Sequence, residues 1–159
     1  MIGQMKALLR IKELKQEQAL KAMRAAKAEL ERAREATQRA FEAAEAFRVT
    51  IPAREQAAYD KVLRRIVNLD GLDDVRAEIV GIEKEHTALR DEWDRARQIE
   101  ARRQEERDAA GAAYRAAVRN RDKYITITET MQTEAEEEAA LREETEIEDL
   151  FARPARRIA

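Results

Sequence analysis

His86 is the single histidine of this chain and cysteine is absent, so nucleophilic or soft-metal chemistry would have to be assembled around one imidazole. Such a site needs further ligands or a partnered nucleophile on the same face. His86 instead falls at helical spacing among apolar residues, which reads as a side chain held by packing. Glu134, Glu136, Glu137 and Glu138 offer oxygen donors for a divalent cation, but a carboxylate run on a helix is more simply a solvated face. No glycine-rich phosphate loop or nucleotide fingerprint occurs. The expectation is therefore a protein that is not an enzyme, with no catalytic, cofactor-binding or metal residues. Cations are the remaining chemistry. Lys6, Arg10, Lys12, Lys15, Lys21, Arg24 and Lys27 would suit an acidic partner, yet Glu13 and Glu17 interrupt them and the whole chain carries a net charge of -2. Nucleic-acid binding is not expected from such a balance.

The elements that must position these groups are plain from composition. Ala, Glu, Lys, Leu and Arg dominate, and charged residues make up 40% of the chain, as in long helices and coiled coils. Leu, Ile, Val and Phe are too few for a thick core. A two-helix seam, however, needs only two apolar positions in seven. Disorder usually brings a high net charge, which is missing here. Apolar runs are only a few residues long, short of the ~20 needed to span a bilayer, and the start lacks the pattern of a signal peptide. A soluble cytoplasmic protein with no direct membrane insertion is expected.

Two interruptions punctuate the helical pattern. Asn68-Leu69-Asp70-Gly71 has the residues of a tight turn after a helix end. Thr50-Ile51-Pro52 places a β-branched pair before a residue that cannot donate its backbone bond. The fold class expected is all-α: an elongated antiparallel two-helix coiled-coil hairpin, broken or kinked near Pro52. Its parts are a first long helix over about 4–50, a short distal helix over about 53–67, a turn at 68–71, a second long helix over about 72–150 and a flexible tail over 151–159.

Heptad steps from Val75 meet Ile79, Ile82, His86, Leu89, Trp93 and Ala96. They then cross Glu100, Arg103 and Arg107, and resume at Ala110, Tyr114, Ala117, Arg121, Tyr124, Thr128, Met131 and Ala135. Upstream, Leu20, Met23, Lys27, Leu30, Arg34, Thr37, Phe41 and Ala44 form a poorer stripe, followed by Tyr59, Val62, Ile66 and Leu69. Sustained 3.5-residue spacing predicts left-handed supercoiling. Trp93, Tyr114 and Tyr124 lie on this seam, so core packing is their expected role. Each chain can cover its own seam, which predicts a monomer.

Charge is segregated lengthwise. Residues 1–28 carry seven basic against two acidic side chains, whereas residues 129–149 carry nine Glu and Asp149 against Arg142 alone. Simple pairing about Asp70 sets residue 5 beside residue 135 and leaves most of the acidic run overhanging.

The basic run Leu8-Leu9-Arg10-Ile11-Lys12-Glu13-Leu14-Lys15-Gln16-Glu17-Gln18-Ala19, the polar hairpin that follows and the acidic finish together resemble the type III secretion stalk family. This is the YscO group (HrpO in plant-associated bacteria), with flagellar FliJ as its relative. The resemblance implies a cytosolic stalk or adaptor, peripheral to the inner-membrane secretion apparatus. It would dock between the hexameric secretion ATPase ring and the export gate protein, with export chaperones as further partners. By position, Arg10, Lys12 and Lys15 are the candidates for the ATPase side, and Arg54, Tyr59, Arg64, Arg65 and Asp74 those near the turn. The alternative is a coiled-coil spacer or scaffold acting as a homodimer, which the oligomeric state would separate from the stalk.

Overall fold

A strong helix former at most positions lets the backbone bonds close without interruption, and tertiary packing along one stripe then stabilises helices of unusual length. The computed structural model describes residues 1–63 and 69–152. It contains two helices, α1 (Ile2–Leu63, 62 residues) and α2 (Leu69–Ala152, 84 residues), and no strand among the described residues. The helices pack as an antiparallel hairpin, and they divide into two compact units, each containing a length of both.

The first unit comprises residues 24–109. Within it Phe41 packs on Trp93 with ring centroids 5.1 Å apart, Phe47 stacks on His86 at 6.2 Å, and Lys61 Nζ lies 3.2 Å from the Glu78 carboxylate. The partner number falls as the α1 number rises, as antiparallel helices require. Leu30, Ala33, Ala44, Phe47, Ala58, Val75 and Ile82 are buried here. Between Ala96 and Ala110 the seam is polar: Glu100, Arg103, Gln104 and Arg107 are half-buried. Arg34 reaches across to this stretch, donating to Gln104 Oε1 at 3.3 Å and lying 3.9 Å from Glu100. Leu30 is nevertheless 2% exposed. Long polar side chains with aliphatic stems exclude water from such a leucine while keeping their own heads wet.

The second, terminal unit joins residues 1–23 to the stretch from 110 onward. Arg121 Nη1 donates to Gln16 Oε1 at 3.0 Å, and Lys12 Nζ sits 5.1 Å from the centroid of the Tyr124 ring. Thr128 is buried, its hydroxyl donating to the Tyr124 carbonyl at 2.7 Å. Met1, Ile2 and Gly3 line a shallow hollow with Met131, Glu134, Ala135 and Glu138. Residues from 132 to 152 are all exposed, so the last turns of α2 run without a partner.

Three expectations need correction. No separate helix begins at 53, because α1 continues through Pro52 to Leu63; 64–67 lie outside the described residues. Proline removes one backbone donor, but side-chain bonds reinforce the turn around it. Thr50 Oγ1 donates to the Phe47 carbonyl at 2.7 Å and accepts from Arg54 Nε at 3.1 Å. Secondly, Leu69, Asp70 and Gly71 belong to the first turn of α2, not to a tight turn, and no described glycine has a positive φ. Asp70 favours that place because its carboxylate meets the positive end of the helix dipole. Asn68 and Ile66, like the tail from 153, lie outside the described residues. Thirdly, the α1 stripe is only half right. Leu20, Met23, Leu30, Thr37 and Ala44 are buried or half-buried, and Phe41, though 39% exposed, packs on Trp93. At the alternate positions Ala26 and Ala33 stand in place of the exposed Lys27 and Arg34, and Ala40 lies beside Phe41. Beyond Pro52, Ala58 is buried where Tyr59 was expected, and Leu69 is exposed.

Candidate docking site

In the terminal unit the α1 seam runs through Ile2, Met5, Leu9, Lys12, Gln16, Ala19 and Met23, each half-buried. That register decides what the basic residues can do. Lys12 is turned onto the Tyr124 ring, a cation–π contact that ties it to packing. Arg10 and Lys15 are exposed, and neither is engaged in an ion pair or side-chain hydrogen bond among the described residues. Leu8, Ile11 and Leu14 stand exposed beside them. The free surface of this helix is thus both basic and apolar.

The candidates in the 24–109 unit separate similarly. The Arg54 guanidinium lies 4.7 Å from the Phe47 ring centroid and is bonded to Thr50, so it serves the local fold. Tyr59 is 50% exposed and Asp74 is exposed, and both remain available. Arg64 and Arg65 lie outside the described residues.

One feature of this unit escapes the sequence reading. Phe41, Ala44, Glu45, Arg48, His86, Arg90 and Trp93 line an open cleft of about 190 Å³. Its floor is aromatic. Arg97 stacks on Trp93 at 4.8 Å, and Phe41 keeps 39% of its surface exposed although it touches the same indole. At the rim Arg48 Nε donates to both Glu45 oxygens at 3.1 and 3.0 Å. That hydrogen bond, with the charge of the guanidinium, holds the Glu45 carboxyl below its ordinary range and raises Arg48. Arg90 is exposed beside them. Trp93, Phe41 and His86 at heptad-related positions, flanked by arginines, were the available signal; reading them only as core concealed the open side.

No three His, Asp or Glu residues among the described ones are placed to hold a metal ion. An aromatic floor with arginine at its edge is the composition of a protein-docking surface, because such side chains desolvate large areas with little loss of rotamer freedom. No helix is long and apolar enough to cross a membrane among the described residues.

Comparison with known proteins agrees with this architecture. Residues 5–153 match the family described as Type III secretion protein YscO. The fold is similar to the crystal structure of Type III secretion protein YscO from Vibrio parahaemolyticus, with a TM-score of 0.88, 18% sequence identity and 93% of each chain covered. No curated protein matches by sequence.

Proposed function

The chain belongs to the YscO family of type III secretion proteins, and from that premise we propose that it is a non-enzymatic cytoplasmic stalk or adaptor. It docks between the secretion ATPase ring and the export gate, and engages export chaperones. The observation that carries this reading is the basic surface of α1 in the terminal unit, where Arg10 and Lys15 are exposed and have no ion pair or side-chain hydrogen bond among the described residues. A ring surface of acidic or polar character is the complement of that face. Contacts of this kind mainly steer association and are screened by salt, since the Debye length is ~8 Å at physiological ionic strength.

For the gate and the chaperones, the 24–109 unit offers the cleft of Phe41, His86 and Trp93 and, separately along the helices, exposed Tyr59 and Asp74. Arg64 and Arg65 remain candidates there by sequence position.

The test is titration of the chain against its cognate secretion ATPase at low and moderate salt. Arg10→Glu with Lys15→Glu should weaken association about tenfold and flatten its salt dependence, with helicity unchanged because both side chains are exposed. Lys12→Glu is a poor probe, since it would also disturb Tyr124. If the double reversal binds as tightly as the natural chain at both salt concentrations, the basic face is only solvated, and ATPase contacts belong elsewhere.

A further inference from the structure

Two apolar surfaces of the terminal unit stand open among the described residues. One is on basic α1: Leu8, Ile11 and Leu14, from 41% to 50% exposed, bordered by Arg10 and Lys15. The other is on the acidic end of α2: Ile147, Leu150 and Phe151, 53%, 65% and 80% exposed. Their spacing of three and four residues aligns them on one face of the helix.

This second face does not continue the seam. Extending the α2 heptad frame past Ala135 gives Glu138, Arg142, Thr145 and Asp149, all polar. Ile147 and Phe151 each stand two residues beyond a frame position, about 200° around the helix at 3.6 residues per turn. The apolar character of α2 therefore moves to the opposite side where α1 no longer accompanies it. An apolar triad on an otherwise Glu-rich stretch that packs on no described residue is a surface for a partner, not the remnant of a core.

Charge complementarity selects the occupant. Residues 129–149 carry ten acidic side chains against one arginine, and the Leu8–Ile11–Leu14 face of α1 is framed by cations. We infer that the acidic end of α2 docks, through Ile147, Leu150 and Phe151, on the Leu8–Ile11–Leu14 face of a second copy of this chain. The contact is small, so the association is weak, with monomer predominant at micromolar concentration and dimer appearing as concentration rises. It buries the same face that carries Arg10 and Lys15, so self-association and docking through those residues exclude each other. The inference itself does not depend on what else binds there.

The absence of cysteine permits a direct test on the full chain. Chains bearing Ile11→Cys are mixed with chains bearing Leu150→Cys under mild oxidation at low salt. A disulfide between the two variants, formed at least tenfold faster than in 0.5 M salt, is the expected result. A control mixture of Leu150→Cys with Val80→Cys, an exposed position on the other unit, should cross-link slowly. Sedimentation equilibrium then follows the unsubstituted protein up to several hundred micromolar. Its mean mass should rise above the 18.3 kDa of one chain, and Ile147→Glu with Phe151→Glu should abolish the rise while leaving helicity unchanged. Indiscriminate cross-linking, a monomer mass at every concentration, or a rise that survives the double substitution would each overturn the inference. None of these results bears on ATPase binding, which is measured separately.

Discussion

The two units of this molecule are cut from the same pair of helices and share one heptad frame, yet they bury different things. The seven buried apolar side chains of the described structure all belong to the 24–109 unit. In the terminal unit Thr128 and Gly111 are buried, and the seam is half-buried throughout, with Lys12, Gln16, Tyr114, Arg121 and Tyr124 among Ile2, Met5, Leu9, Met23 and Met131. Burial of apolar area is the main favourable term in folding, whereas a lysine laid over a tyrosine or an arginine bonded to a glutamine contributes about a kcal/mol each. One unit is fixed and the other is held lightly. On the lightly held unit, exposed Arg10 and Lys15 border exposed Leu8, Ile11 and Leu14, a surface placed where internal contacts are most readily exchanged for external ones.

The strongest way to break that comparison is to remove one aromatic from each unit. Phe47 is 7% exposed, between His86 on one side and the Arg54 guanidinium on the other. Truncation to alanine should cost about 3 kcal/mol, at the low end for a buried phenylalanine because a two-helix seam relaxes more readily than a thick core. Tyr124 is half-buried under Lys12, and its truncation should cost about 1 kcal/mol. Denaturant unfolding with native-state hydrogen exchange separates the two, since the Tyr124 variant should lose protection chiefly in residues 1–23 and 110–131. Equal losses from the two substitutions would mean that stability is shared evenly after all.

How much of this was legible in the sequence depends on which helix is read. From Val75 to Met131 the α2 frame is met position for position by buried or half-buried residues, including the polar Glu100, Arg103 and Arg107. Large side chains at those positions make the period visible. From Ala19 to Ala44, five of the eight α1 seam positions are alanine: Ala19, Ala26, Ala33, Ala40 and Ala44. Alanine contrasts weakly with its neighbours, so Lys27, Arg34 and Phe41 attract a frame one residue too late. The same weakness hides that Lys12 faces the seam while Arg10 and Lys15 do not. At Pro52 a local rule yields to tertiary packing, because one missing backbone bond is small beside the apolar contacts of Phe47 and Ala58 on either side. The aromatic cleft was concealed because the seam explains only one side of each ring; exposure of the other side depends on how closely the helices approach.

A smaller effect sharpens the comparison from the backbone side. Gly81 and Gly111 both lie inside α2, one in each unit, and neither has a positive φ. A Cβ at Gly81 would meet nothing within 4 Å, and one at Gly111 would reach only the Arg115 guanidinium at 3.5 Å, an ordinary contact. Each change to alanine should therefore stabilise its own stretch of helix by about 0.5–1 kcal/mol, through the restricted unfolded chain. The gain at Gly81 should appear in global unfolding. The gain at Gly111 should appear mainly as slower amide exchange around it, because the terminal unit is expected to open before the rest. A Gly111→Ala variant that raises the global midpoint as much as Gly81→Ala would show that the two units unfold as one.

The smallest effect concerns ionic contacts that join the two helices. In the 24–109 unit Lys61 and Glu78 meet at 3.2 Å, with their side chains 65% and 42% exposed. In the terminal unit Arg121, 29% exposed, donates to the uncharged Gln16 at 3.0 Å. An exposed pair of full charges gains little in water and loses side-chain freedom on forming. A double-mutant cycle at Lys61 and Glu78 should give about 0.3 kcal/mol and fall toward zero in 0.5 M salt. The half-buried Arg121–Gln16 bond has only one charge, although the same guanidinium also pairs with Asp122 at 2.7 Å within α2, so salt should leave the coupling of about 1 kcal/mol between Arg121 and Gln16 nearly intact. That ordering runs against the intuition that two charges bind better than one, and it follows from solvent access alone. Should the Lys61–Glu78 cycle prove the larger and persist in salt, the exposed ion pairs would be holding the 24–109 unit together. The contrast drawn from its buried apolar residues would then have to be abandoned.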